Sequence, residues 1–319
     1  MENFEVHENG NLEYLESSKK VGEFYFDYIN SLAGYGNFDE SLLDSMPEES
    51  RETLKLIINN SRKYFEAGRV LKEHFNMGAK EFLVQAFGED DILEDESKYN
   101  LQELSEGVYC VFIDIDVLKK LYKTEFFPQA MVAKVKEGIP FIIMPVSSMK
   151  NSSDSDFFEV RKKENLPHET NHIIWHFLKL EGSSVVESTE DNDDINKNFL
   201  MFKEELICQL SSNGMLHSYS YLSRMNDKQR NEFKEQKPKI FDYIYEIMDI
   251  LNGCLRLISK SIERAGLRKD ILILPVLKSK SFDELHRNLL EIKVIIDSQP
   301  SIKTVDEKKS EAPPGWGFA

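Results

Sequence analysis

The sequence predicts an α+β fold that is mostly helical, with a small sheet packed beside one histidine-bearing helix. Apolar residues recur at helical spacing through two long segments, 50–76 and 239–264, which is the pattern of amphipathic helices. Two short, continuous apolar runs, 108–115 and 139–146, are typical of buried strands. The order along the chain is helices, a few strands and then helices, which favours the α+β class.

The composition is that of a globular protein and excludes several classes of partner. The chain has 319 residues, of which 41% are apolar and 11% aromatic, enough for a sizeable core. Its net charge of −16 repels phosphate backbones and anionic lipids, so we expect neither nucleic acid nor membrane partners. The chain shows no signal peptide, no transmembrane segment and no CxxC pair among its three cysteines. A cytoplasmic location is therefore expected, with export that uses no cleaved signal left open.

The chain divides into four predicted regions. An acidic, irregular arm comes first, and a helical region follows, in which a long helix, a short helix and an acidic loop succeed one another. A main domain with the strands comes next, and a flexible tail ends the chain. The predicted boundaries are 1–49, 50–105, 106–299 and 300–319.

Within the main domain the predicted elements follow one another at short intervals. The run ILILPVL at 271–277 has the composition of a third strand. Ser281 and Glu284 form the pattern of a capping box that opens the last helix. The predicted helices of this domain before the third strand span 116–123, 165–180, 195–211 and 239–264.

The most informative motif is the HExxH string from His168 to His172. Histidines at i and i+4 share one helix face, so both rings can hold one ion at Zn–N distances of about 2.0–2.1 Å. Glu169 follows the first histidine and points to a neighbouring part of that face, where its carboxylate can take a proton from a water activated by the metal. This arrangement predicts a zinc site with Glu169 as general base.

The motif, its helix and the strand before it resemble the zincin metallopeptidases, over roughly 139–211. The metzincin pattern HExxHxxGxxH is not met, because Trp175 and Leu178 occupy its glycine and last histidine positions. The resemblance is to gluzincins, which take a third ligand from a glutamate on a downstream helix. It implies a zincin-like catalytic domain in which the helix at 195–211 supplies that glutamate.

Two adjacent glutamates compete for the third ligand position. Glu205 is followed at +3 by Cys208, similar to the Glu-x-x-small pattern of gluzincin ligand helices, although the family usually has alanine or serine there. We therefore expect His168, His172 and Glu205 to hold Zn²⁺, with Glu204 as the alternative. His176 is a weaker candidate, because it lies about 6 Å further along the helix axis than His172.

Other residues have roles that the resemblance or their position suggests. Zincins often add a histidine or tyrosine that stabilises the oxyanion, and three such residues follow the glutamate helix: His217, Tyr219 and Tyr221. By the same analogy, the strand at 139–146 would lie at a sheet edge and bind substrate by strand addition. Separately, Asp114 and Asp116 at a strand end either bind Mg²⁺ or cap the next helix.

The function expected from the sequence is zinc-dependent hydrolysis of peptide bonds in a peptide or protein substrate. The same ligands and base would serve a hydrolase of a non-peptide amide or ester. A non-catalytic helical interaction protein, in which the motif binds nothing, is the other alternative.

Overall fold

The computed structural model describes most of the chain between residues 8 and 298. The described ranges are 8–88, 93–105, 107–122, 131–134, 139–146, 155–212, 227–262 and 267–298. Within them the fold is mostly helical with one small sheet, which confirms the α+β class. No helix in these ranges has the length and apolar character needed to cross a membrane.

Ten α-helices and four strands lie in the described ranges. The helices are α1 Glu8–Leu32, α2 Glu48–His74, α3 Ala79–Phe87, α4 Ile115–Tyr122, α5 Ser155–Leu180, α6 Asp193–Leu210, α7 Asp227–Gln236, α8 Pro238–Ile262, α9 Ile273–Lys278 and α10 Phe282–Ser298. The strands are β1 Tyr99–Ser105, β2 Val108–Asp114, β3 Met131–Lys134 and β4 Pro140–Val146. Short 3₁₀ turns occupy Glu40–Ser45, Glu96–Lys98, Ser184–Val186 and Lys269–Leu272.

The central strands β2 and β4 are buried on both faces of the sheet, which explains the unbroken apolar run of β2. The strand order is β1-β2-β4-β3, with β2 and β4 parallel and the outer pairs antiparallel. Val111 and Ile113 of β2 pack with side chains of α3 and α4, whereas Cys110 and Phe112 belong to the larger core that contains α5. A strand covered on both faces has no polar side to alternate with its apolar one.

The structure corrects the expected position of β4. This strand pairs with β2 on one side and with β3 on the other, so it is interior and not an edge. Among the described strands, β1 and β3 form the two edges of the sheet. Strand addition by a substrate at this sheet would therefore use β3 or β1.

The N-terminal region is not an irregular arm, because residues 8–32 form the long helix α1. Val21, Tyr25, Tyr28 and Leu32 recur at spacings of three and four residues and are buried in the larger core. The acidic and polar residues between them hid this apolar stripe. Buried packing against other elements, more than intrinsic propensity, stabilises such a helix.

The prediction of a third strand at 271–277 is wrong. This segment starts in a 3₁₀ turn and continues as the short helix α9, with every residue from Asp270 to Leu277 buried. A short run that is buried on all sides carries no periodicity that separates helix from strand. The capping box after it is met in part: Ser281 Oγ accepts the Glu284 amide at 3.1 Å, but the Glu284 carboxylate accepts the amide of Lys280, at 2.8 Å, and not that of Ser281.

Candidate metal centre

The HExxH motif lies on α5, which begins ten residues earlier than the sequence predicted, at Ser155. Pro167 is consequently inside the helix and not in its first turn. Its ring nitrogen carries no proton, so the hydrogen bond to the Lys163 carbonyl is missing just before His168. Beyond the motif, Ile173, Ile174 and Trp175 are fully buried and anchor the helix in the core.

Helix α6 brings the third predicted ligand to the motif. The helix is capped at its start by Asn192, whose side chain accepts the backbone N–H groups of Asp194 and Ile195. Glu205 lies in the buried face of α6, only 9% exposed, and accepts a hydrogen bond from Gln209 Nε2 at 3.0 Å. Cys208, one turn further, is fully buried, as expected for a small residue between closely packed helices.

His168, His172 and Glu205 converge on one point. The two histidine Nε2 atoms are 3.2 Å apart. Glu205 Oε1 lies 3.8 Å from His168 Nε2, and Glu205 Oε2 lies 3.6 Å from His172 Nε2. Ligand atoms about 2.0–2.1 Å from a tetrahedral Zn²⁺ are about 3.3 Å from one another. The three donors therefore have the types and separations that a metal ion needs, and in the described residues they form the one group of this kind.

Glu204 lies in a different position, on the outer side of the His172 ring. Its Oε1 is 2.9 Å from His172 Nδ1, and its Oε2 accepts a bond from Lys179 Nζ. In the neutral imidazole, a carboxylate at Nδ1 favours the tautomer with the proton on that nitrogen, in which the Nε2 lone pair faces the cluster. The two adjacent glutamates thus occupy different positions: Glu205 faces the Nε2 atoms of both histidines, and Glu204 lies on the Nδ1 side of His172.

The electrostatics of the cluster suit a cation. Burial disfavours the charged form of His172, but Cys208 and the carboxylates of Glu204 and Glu205 raise its pKa well above 6.5. Burial raises the pKa of Glu204, but His172 and Lys179 outweigh it and the net shift is downward. Two carboxylates beside two imidazoles make the cluster attractive to positive charge, which a metal ion or a proton supplies.

The remaining predicted site residues have mixed outcomes. Glu169 lies half-buried on α5, on the turn between the two histidines. His217, Tyr219 and Tyr221 lie outside the described residues. His176 does not belong to the metal-binding group found in the described ranges.

The aspartates at the end of β2 support the capping alternative. Asp114 is buried, accepts the backbone N–H of Asp116 at 2.9 Å and pairs with Lys98 at 3.3 Å. An aspartate that binds the amide two residues on, directly before α4, is a helix N-cap.

Sequence reasoning missed the groups that support the ligands. Gln209 on Glu205 and Lys179 on Glu204 were not singled out, and Glu204 was considered only as a ligand. Spacing offered a signal for two of them: Gln209 is one turn from Glu205, and Lys179 is two turns from His172 on the same face of α5.

Comparisons with known proteins found no relative that would assign a role to these residues. No protein-family model, no curated protein and no solved structure matches the chain.

Proposed function

We propose that this protein is a zinc-dependent metallopeptidase, in which His168, His172 and Glu205 hold the ion. The observation that carries the proposal is the convergence of these three donors on α5 and α6. Two imidazoles and one carboxylate suit Zn²⁺, and three protein ligands leave a fourth position open for chemistry, as in catalytic zinc sites.

In this proposal the chain's own residues position the reactants and move the proton. Zinc, when bound, would lower the pKa of water toward about 7 and polarise the scissile carbonyl. Glu169 accepts the proton of the attacking water and then delivers it to the leaving amine. Glu204 keeps the His172 Nδ1 proton in place, so that Nε2 stays available. The edge strand β3, antiparallel to β4, is the proposed docking edge for an extended substrate.

Charge and cysteine chemistry support a peptide substrate in a reducing compartment. The net charge of −16 disfavours nucleic acid. All three cysteines are free and buried, which fits the cytoplasm.

The proposal is tested by metal content first and by the base second. Protein purified without chelators should contain close to one zinc per chain by elemental analysis. Glu169→Gln keeps the shape of the side chain but cannot accept a proton, so it should keep the zinc and lose at least ~10²-fold in peptide hydrolysis.

Three outcomes would contradict the proposal. A wild-type chain without zinc would favour the non-catalytic interaction protein. A Gln variant with undiminished hydrolysis would remove Glu169 from its role. Cleavage of amide or ester reporters, with no cleavage across a diverse peptide mixture, would replace the peptidase assignment by the broader hydrolase.

A further inference from the structure

A buried hydrogen-bond network ties the N-terminal helix to both ligand-bearing helices. From α1, the Tyr25 hydroxyl donates to Asn171 Oδ1 at 2.7 Å, and Asn30 Nδ2 donates to the Ser211 carbonyl at 3.2 Å. Asn171 Nδ2 in turn donates to Ser211 Oγ at 2.8 Å. Helix α1 therefore contacts α5 through one polar bond and the end of α6 through another, while Asn171 joins α5 to α6 directly.

The network lies next to the metal ligands in sequence and in space. Asn171 immediately precedes His172, and Ser211 follows Glu205 by six residues, at the end of α6. Tyr25, Asn171 and Ser211 are each at most 1% exposed. Burial raises the pKa of Tyr25 well above 10, so its hydroxyl remains a neutral donor.

The hydrogen bonds of Asn171 can form in only one orientation of its side-chain amide. The Asn171 side chain needs an acceptor face for Tyr25 and a donor face for Ser211, which an amide provides and a carboxylate or an alkyl group does not. A rotation or slide of α5 against α6 would leave these buried groups unpaired, at a cost larger than the net value of the bonds themselves. The network thus favours one register between the helix with the histidines and the helix with Glu205.

We infer that Tyr25 and Asn171 are positioning residues of the metal centre. Through them, α1 holds α5 and α6 in the relative position in which His168, His172 and Glu205 can bind one metal ion. The inference rests on the metal centre of the proposed function, but it concerns metal binding and not hydrolysis. It gives α1, expected from sequence to be an irregular arm, a part in the site.

The chain offers a matched control for Tyr25. Tyr28 is also on α1 and also buried, and its hydroxyl is hydrogen-bonded to Ser61 on α2, a helix that carries none of the three proposed ligands. Zinc affinity is measured for Tyr25→Phe and Tyr28→Phe by competition with a chromophoric chelator, and apo stability by thermal unfolding in EDTA. We expect a roughly 10-fold weaker zinc Kd for Tyr25→Phe and a change within about 2-fold for Tyr28→Phe, with similar losses of apo melting temperature.

A second pair of variants, Ser211→Ala and Ser279→Ala, tests the inference independently in case Tyr25→Phe does not fold. Ser211 and Ser279 are both fully buried, and each donates to the carbonyl four residues earlier and accepts from an asparagine amide. Only Ser211 belongs to the network, so Ser211→Ala should weaken zinc binding and Ser279→Ala should not. The Co²⁺-substituted proteins add a spectroscopic readout, because the intensity of the visible d–d bands reports the coordination geometry, and only Tyr25→Phe and Ser211→Ala should alter it.

The outcomes separate this inference from the proposed function. Zinc Kd values that are equal within each matched pair would overturn the inference, whatever the hydrolytic activity. A wild-type chain that binds no zinc would overturn both. If the chain binds zinc and the zinc Kd values differ within each matched pair as expected, but no peptide is hydrolysed, the inference is supported and the proposed peptidase activity is contradicted.

Discussion

Adjacent glutamates at the candidate metal centre contact different atoms because their side chains leave the helix in different directions. Neighbouring residues on α6 point about 100° apart. Glu205 therefore reaches the Nε2 atoms of both histidines, whereas Glu204 reaches only His172 Nδ1 and Lys179. The sequence alone left this choice open, and the packing of α6 on α5 makes it.

Removal of the two carboxylates should have unequal effects on metal binding. Glu205→Ala should abolish stoichiometric zinc, because it removes a ligand. Glu204→Ala should keep zinc but with a Kd about 10–100-fold weaker, the usual effect of losing an outer partner of a ligating histidine. Both Kd values come from chelator competition at constant pH. Equal Kd values for the two variants would show that the third ligand lies elsewhere, with His176 the first to test.

At the scale of elements, close approach of α1 to the turn Lys269–Leu272 depends on one glycine. A Cβ atom on Gly22 would lie 2.1 Å from the Asp270 carbonyl oxygen, well inside contact distance. The backbone at both positions belongs to packed elements, so no flexible side chain can move aside. Glycine at this site permits α1 to dock against the segment that leads into α9.

Gly22→Ala should therefore destabilise the fold, while a second helical glycine provides the control. We expect a loss of about 2–3 kcal/mol or more in the free energy of unfolding, typical of overpacking. A Cβ on Gly68 in α2 would meet Ile139 Cγ2 at an ordinary 3.5 Å. Gly68→Ala should be neutral or stabilise by about 0.5–1 kcal/mol, because alanine is the better helix former. Urea unfolding curves of both variants give the comparison; a stabilised Gly22→Ala would show that α1 does not pack as described.

At the scale of the whole molecule, one buried carboxyl makes stability depend on pH. Burial raises the pKa of Asp270 to about 6, although Arg268, 3.0 Å away, works in the opposite direction. Between about pH 4 and pH 6 the folded chain holds this proton more tightly than the unfolded chain. The contribution of Asp270 to the free energy of unfolding therefore falls as pH rises through this window.

Asp270→Asn should remove this contribution to the pH dependence of stability. The variant is expected to be more stable than wild type at pH 7.5 by about 1–3 kcal/mol, because the unfavourable buried charge is gone. At pH 4 the two proteins should differ little, since the wild-type carboxyl is then protonated in the fold. Urea unfolding in EDTA, which removes metal effects, tests this at both pH values. A variant that is less stable at pH 7.5 would mean that the ion pair with Arg268 outweighs the burial of the charge.

The sequence by itself determined what depends on local pattern. The i, i+4 histidines and the glutamate between them need only a helix to share a face, and the apolar spacing around Ile173 and Ile174 predicted that helix. Long periodic segments such as α2 and α8 were predicted within a few residues, since many apolar positions agree on one period. The cap at Ser281 was found because its hydrogen bond to the Glu284 amide is made within three residues.

Only the tertiary structure decided what depends on neighbours distant in the chain. Whether Glu204 or Glu205 faces the histidines follows from how α6 is rotated against α5, which Cys208 at +3 from Glu205 indicated but did not decide. A short, fully buried apolar run such as 271–277 is compatible with helix or strand, and packing against its neighbours makes it a helix. The interior position of β4 follows from the strand order of the sheet, which the run itself does not specify. The place of α1 beside the metal centre was likewise hidden, because the bonds of Tyr25 and Asn30 reach residues more than 140 positions away.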